Sequence, residues 1–349
     1  MNNLQRLLWY YGAGRIFIPR PRYFIYNATL RCDLHCRHCG IWENRKKPEL
    51  EPADLDKILA RDFFSRVETA WLTGGEPTLR KDLGPIAGIF RKRFPSMRIL
   101  GIATNGYAPE RILSRLDEIS AELDHSRQGI FIQFSIDGLE EVHDRIRGPD
   151  AFANLTASVE AVKQWRAGHP SLKVDFGFNC VVQPENVAQL KAVKDFAEQR
   201  GAGITFNVVA ITDQIYYTRH KASELAFRNG LKRELTAFLQ QLKDESGPAY
   251  RQQYQSFISV LSGGKRRRRC LSLYSTFIVN SDGTWIPCPL CSEWERVDFR
   301  ETDPGFFWKS SRAKTLRRRV AAELCPGCLL SCSLGDSLSF LEFIAGGFE

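Results

Sequence analysis

Between residues 23 and 211 the chain switches from strand-like to helix-like sequence and back, giving six strand-like stretches. No other feature restricts its fold as much. The strand-like stretches are residues 23–30, 67–73, 98–104, 129–136, 172–182 and 204–211. Helical patterns occupy residues 52–64, 83–94, 109–123, 152–166 and 186–200 between them. Strand–helix units at this spacing predict a parallel sheet with helices outside it. Six units are too few to close an eight-stranded barrel. The expected fold is therefore α/β: a partial (β/α)6 TIM-like barrel, curved and partly open, with a small C-terminal cysteine-rich domain. Barrels of this kind carry their chemistry on the loops that follow the strands' C-terminal ends.

The loop after the first strand reads R-C-D-L-H-C-R-H-C-G and places Cys32, Cys36 and Cys39 within eight residues. Three thiolates can converge on one metal centre and leave a coordination position open. Thiolates suit both zinc and iron–sulfur clusters. A structural zinc site needs a fourth ligand, which His35 or His38 could supply, so the run alone leaves both readings standing. The second strand-like stretch ends in Thr73-Gly74-Gly75-Glu76-Pro77, in the position where a barrel presents functional loops.

Together the two segments resemble the radical S-adenosylmethionine (SAM) superfamily. That family has a C-x3-C-x-(aromatic)-C cluster loop followed by a Gly-Gly-Glu-Pro motif on the next strand. His38 stands where the family often has Tyr or Phe. The resemblance implies that Cys32, Cys36 and Cys39 hold a [4Fe–4S] cluster whose fourth iron binds SAM. One electron would then cleave SAM to methionine and a hydrogen-abstracting 5′-deoxyadenosyl radical. It also implies a flavodoxin- or ferredoxin-type electron donor. Gly74 and Gly75 would let backbone approach the cofactor without a Cβ in the way, Pro77 completes the motif, and Glu76 would face the SAM ammonium. The segment S-I-D-G-L-E-E-V-H-D-R-I-R resembles one that contacts the SAM carboxylate or ribose. The correspondence gives Ser135 and Arg147 as contacts, with Asp137 beside them. The alternative is a helix cap and a surface ion pair. Asn105, Asn179 and Asn207 lie in or at the ends of strand stretches, where they could reach the barrel interior.

After residue 211 the pattern changes. Residues 222–242 read as a long helix, residues 244–247 as a break, and the tail then becomes cysteine-rich. Cys270, the Gly283-to-Cys288 spacing, and Cys325-Pro-Gly-Cys328 resemble the twitch domain, a shortened SPASM domain that holds an auxiliary [4Fe–4S] cluster. The implied ligands are Cys270, Cys288, Cys325 and Cys328, with Cys291 and Cys332 as alternates. A zinc ribbon is the competing reading, because Cys288–Cys291 and Cys325–Cys328 have zinc-site spacing. The expected organisation is residues 1–22 as an N-terminal cap or amphipathic segment, 23–245 as the core barrel, and 246–349 as the auxiliary domain.

Nine of the ten cysteines fall in ligand-like spacings, and only Cys180, among apolar neighbours, reads as a buried inert thiol. A chain without a signal-like start and with its thiols free for iron is expected in the reducing cytoplasm. The net charge of +9 collects in short basic runs. These runs are not interleaved with aromatics, so nucleic acid is not the expected partner. Peripheral contact with a membrane surface is the less favoured reading of the first 22 residues. A small anionic metabolite is preferred over a ribosomally made peptide as substrate, because peptide-modifying relatives often carry an N-terminal leader-binding domain and the segment before Tyr23 is too short for one; a separately supplied leader-binding partner is the alternative. The reading from outside the enzyme class is a non-catalytic iron–sulfur or zinc protein that retains the fold.

Overall fold

The computed structural model describes residues 18–44, 48–266, 270 and 272–331. The six expected strands are present as β1 (Tyr23–Thr29), β2 (Thr69–Gly74), β3 (Ile99–Thr104), β4 (Gly129–Ser135), β5 (Lys173–Val182) and β6 (Gly203–Val208). They form one parallel sheet in sequence order. A seventh strand, β7 (Thr276–Val279), pairs in parallel with β1 and corrects the six-stranded expectation. It is four residues long and lies among the tail cysteines, so its sequence gave no separate signal. The sheet runs β6-β5-β4-β3-β2-β1-β7 and is not closed.

Helices cover the outside: α1 (Pro52–Leu59), α2 (Leu83–Arg93), α3 (Pro109–Glu122), α4 (Glu140–Arg147), α5 (Ala151–Gly168) and α6 (Leu190–Gln199). Proline opens α1 and α3 at a position whose N–H would have no helical partner. Helix α4 is not among the expected helical patterns, and the alternative reading of a helix cap at Asp137 is the one hint of it; the cap falls at Leu139. Its stripe is only Val142 and Ile146, and its termini carry the rest of the signal. Glu140 and Glu141 lie in its first turn and Arg145 and Arg147 in its last, the order that suits the helix dipole. The long helix expected at residues 222–242 forms as α7 (Asn229–Glu245), followed by α8 (Pro248–Leu261), and the tail adds α9 (Ser311–Glu323).

Strand alternation separates core from cavity. On β4 the side chains of Ile130, Ile132 and Phe134 are buried, while Gln133 and Ser135 face the barrel interior. On the outer side of β1, the Phe24 ring lies 5.4 Å from Phe90, 5.1 Å from Phe94 and 6.5 Å from Phe277 of β7. Phe277 in turn lies 5.4 Å from the buried Trp308. Burial of one such side chain contributes about 1.5–3 kcal/mol, so the tail joins the barrel through a shared aromatic core. Cys180 is fully buried and its thiol is pushed well above its usual value by burial, which agrees with the inert reading.

Candidate functional site

The C-terminal ends of the strands surround a cavity of about 350 Å³. Cys32, Cys36 and Cys39 line it together with His38, Gly74, Gly75, Ser135 and Arg147. Asn105, Asn179 and Asn207 line it as well, as their strand positions allowed. Asn207 donates to Asn179 Oδ1 at 2.7 Å, which joins the ends of β5 and β6.

The cysteine loop is pinned by backbone hydrogen bonds. Arg37 N–H donates to Ile146 O at 2.9 Å, and Gly40 N–H to Tyr216 O at 2.7 Å. Gly75 N–H donates to Thr29 O and Glu76 N–H to Arg31 O, each at 2.8 Å. A Cβ on Gly74 would stand 2.1 Å from Thr29 O, and one on Gly75 would stand 2.1 Å from Arg31 O. Gly74 also has φ +123°, which a side chain would strain. The glycines are therefore required by the close approach of β2 to the root of the cysteine loop, a reason nearer to hand than approach to a cofactor.

Glu76 is fully buried and does not line the cavity. Its carboxylate accepts from Thr78 N at 3.1 Å, Thr78 Oγ1 at 2.7 Å, Thr104 Oγ1 at 3.0 Å and Asn105 N at 2.7 Å. It thereby ties β2 to the end of β3, and burial raises its pKa above the usual carboxylate value. Pro77 is buried behind it. Asp137 is likewise fully buried behind the cavity wall. Its Oδ2 lies 2.7 Å from Arg147 Nη2 and 3.6 Å from His38 Nδ1, and its Oδ1 accepts from Val181 N at 2.7 Å. Although burial opposes the charge, Arg147 and the two neighbouring histidines hold Asp137 below its ordinary value. Arg147 is thus paired inside the protein, with its Nη1 3.9 Å from Cys36 Sγ, rather than on the surface. Burial lowers the pKa of His38 to about 4, so it is neutral at pH 7. His35 instead packs against Trp42, with ring centroids 4.2 Å apart and the planes tilted by 35°.

Sequence reasoning missed Asp33 and Arg111. They form an ion pair, Asp33 accepts from Asn105 Nδ2 at 2.7 Å, and Arg111 Nε donates to Thr78 Oγ1 at 3.1 Å. Asp33 stands next to Cys32 in the loop, which was the available signal. Arg111 is one of two arginines on the amphipathic helix α3 and gave none.

Burial pushes the three thiols up, to about 12 for Cys32 and Cys36 and about 11 for Cys39, and each is raised further by another of the three. In the tail, Cys325 is raised first by contact with Cys270, with Cys288 and Cys328 adding to it. Cys288 is raised first by contact with Cys291, with Cys270 adding to it. The four expected tail cysteines are therefore neighbours, Cys291 stands among them, and Cys332 lies outside the described residues. Among the described residues, no three His, Cys, Asp or Glu side chains gather as a single metal ion would need. A cluster takes its cysteines on separate irons, so its ligands need not meet at one point. No described helix is long and apolar enough to cross a membrane.

A curved, open parallel sheet with three cysteines and a diglycine at its C-terminal mouth defines a class, and the comparisons agree with it. Residues 26–197 match the radical SAM superfamily, and the chain carries that domain. It is 28% identical over 182 residues to the Fe-coproporphyrin III synthase of Methanosarcina barkeri, covering 50% of this chain and 40% of that protein. It is 30% identical over 191 residues to the pre-heme d1 synthase of Dinoroseobacter shibae, covering 52% of this chain and 42% of that protein. It is 27% identical over 164 residues to the GTP 3',8-cyclase of Pasteurella multocida, covering 46% and 45%. The chain thus spans less than half the length of each of these relatives. In fold it is similar to Streptococcus suis SuiB bound to S-adenosylmethionine, with TM-score 0.60 at 16% identity, covering 85% of this chain and 68% of SuiB. It is similar to anSMEcpe with bound AdoMet, also at TM-score 0.60 and 16% identity, covering 84% and 82%. Radical SAM domains use a [4Fe–4S] cluster and SAM.

Proposed function

We propose that this chain is a radical SAM enzyme that binds its cluster through Cys32, Cys36 and Cys39 and takes a hydrogen atom from a small polar metabolite. The observation that carries this reading is the meeting of three thiols, Gly74 and Gly75 at one cavity. Among the described residues the wall offers the three thiols and, beside them, only the neutral His38 as a further ligand, a donor set that suits a cluster with one open iron. When bound, the cluster and SAM supply the one-electron chemistry, and the protein binds, orients and shields them. Gly74 and Gly75 hold the loop against β2. Asp137 holds Arg147 at the cavity wall, and Ser135, Asn179 and Asn207 offer hydroxyl and amide groups within it.

A volume of about 350 Å³ is near the lower end for small-molecule sites, and the cluster and SAM would share it with any substrate. The named relatives are an Fe-coproporphyrin III synthase, a pre-heme d1 synthase and a GTP 3',8-cyclase, which favours a small molecule over a peptide. Strongly anionic character receives less support. Arg147 is the only Arg or Lys on the wall among the described residues, and Asp137 already pairs with it. Leu330 and Ser331 line the same cavity, two and three residues after Cys328, so an auxiliary cluster on Cys270, Cys288, Cys325 and Cys328 would stand close enough to accept an electron from a substrate radical.

Anaerobic reconstitution tests both sites. Two [4Fe–4S] clusters give about eight irons per chain, with a reduced-cluster spectrum that changes when SAM is added. About four irons plus one zinc would refute the auxiliary cluster, and a spectrum indifferent to SAM would refute the enzyme.

A further inference from the structure

We propose that Asn105 and Arg147 set the reduction potential of the cluster on Cys32, Cys36 and Cys39, each by donating a hydrogen bond to a different cysteine sulfur. The inference rests on the cluster assignment above and goes beyond it, because it gives two residues an electronic role. Asn105 Nδ2 stands 3.9 Å from Cys32 Sγ, and Arg147 Nη1 stands 3.9 Å from Cys36 Sγ. Both contacts are within hydrogen-bonding range for sulfur, and both donors are buried, Arg147 at 6% exposure and Asn105 at 7%. Little water competes there, and a low local dielectric strengthens each contact.

Each donor is oriented by an aspartate on its far side. Asn105 gives one amide hydrogen to Asp33 Oδ1 at 2.7 Å, which leaves the other for the sulfur. Its Oδ1 accepts from Tyr107 N at 2.9 Å, so the amide cannot turn its oxygen toward Cys32 without losing that bond. Asp33 is itself held by Arg111. On the other side, Asp137 holds Arg147 Nη2 at 2.7 Å and is fixed by Val181 N at 2.7 Å. Two aspartate–donor–sulfur relays thus reach two of the three cysteines. Cys39 accepts the backbone N–H of Ile41, as Cys32 also accepts that of Leu34.

A [4Fe–4S] cluster that takes one electron from a low-potential donor gains one negative charge. Hydrogen bonds and positive charge at its sulfurs stabilise that reduced form and raise the potential. Asn105 contributes a neutral dipole. Arg147 contributes a charged donor, offset in part by Asp137. Loss of either makes the cluster harder to reduce, and loss of Arg147 does so more.

The test is an anaerobic redox titration of the reconstituted full chain, with the reduced cluster read by electron paramagnetic resonance. The signal that changes on adding SAM identifies the cluster concerned, and the titration is run without SAM. At a fixed poise, Arg147→Gln should lower the reduced-to-oxidised ratio about tenfold, equivalent to about 59 mV for one electron. Asn105→Ala should lower it severalfold, Arg147→Lys less than Arg147→Gln, and the double variant more than either single one. Iron content is counted in each. Variants that hold full iron and titrate with the wild type overturn the proposal. If Arg147→Gln cannot hold iron, Asn105→Ala and Arg147→Lys decide in the same way. A wild-type chain with no SAM-responsive cluster refutes the functional reading instead.

Discussion

Replacing Gly75 with alanine should detach the cysteine loop from β2. The backbone of Gly75 is not in the left-handed region, so alanine meets no conformational penalty and the effect comes from contact alone. The new Cβ would lie 2.1 Å from Arg31 O and 2.7 Å from Arg31 C. These are backbone atoms, so no side chain can rotate away. The strands must separate, and the bonds from Gly75 N to Thr29 O and Glu76 N to Arg31 O, both 2.8 Å, go with them. Overpacking costs about 1–3 kcal/mol and each lost hydrogen bond about 0.5–1.5 kcal/mol. The total is roughly 2–6 kcal/mol. Urea unfolding of the metal-free chain measures it, and iron content after reconstitution measures the displacement of the cysteines. Gly230→Ala is the control, because a Cβ there meets nothing within 4 Å in the first turn of α7. Its stability should hold or rise slightly. Equal unfolding midpoints and equal iron in Gly75→Ala and wild type would refute the close-approach argument.

Asp137→Asn should destabilise the metal-free chain by about 3–5 kcal/mol, because it leaves the buried Arg147 without its counter-charge. The folded pKa of Asp137 lies below its ordinary value, so this contribution is present above pH 4 and is lost as the pH falls through the lowered value. His143, whose Nδ1 accepts from Asp137 N, is pushed down to about 3 by burial, with Arg147 adding to the effect. Its unfolded form takes a proton near pH 6.5, so stability should fall by up to about 1.4 kcal/mol per pH unit on descending from 6.5 toward 3. His143→Gln should flatten that part of the urea-versus-pH curve, and an unchanged slope would contradict the assignment. Cys288→Ala with Cys325→Ala should bring iron from about eight to about four per chain while the SAM-responsive signal stays. Loss of both signals together would contradict two separate sites.

The parts of the fold that repeat were legible in sequence. Six strands announced themselves because each is a largely apolar run, and the first four lead into a cysteine, glycine or asparagine loop. β7 and α4 were not legible, for opposite reasons. The Thr276–Val279 strand is too short to show a period, and the helix Glu140–Arg147 buries a histidine and an arginine where a pattern looks for apolar residues. At the site, spacing identified the thiols. It could not show that Glu76 and Asp137 turn away from the cavity to hold loops and Arg147, since a motif gives the position of a residue and not the direction of its side chain. Asp33 and Arg111 lie 78 positions apart, and only the fold brings them together.

The central claim is that Cys32, Cys36 and Cys39 support reductive cleavage of SAM. It is tested most directly by incubating the reconstituted, chemically reduced chain with SAM and measuring 5′-deoxyadenosine by chromatography, beside the variant with all three cysteines replaced by alanine. These residues lie on a loop at a strand end, so the variant should keep its far-ultraviolet dichroism and its tail cluster. The account predicts 5′-deoxyadenosine from the wild type and none from the variant. Equal amounts from both, or none from a wild type that holds its full iron, would contradict it.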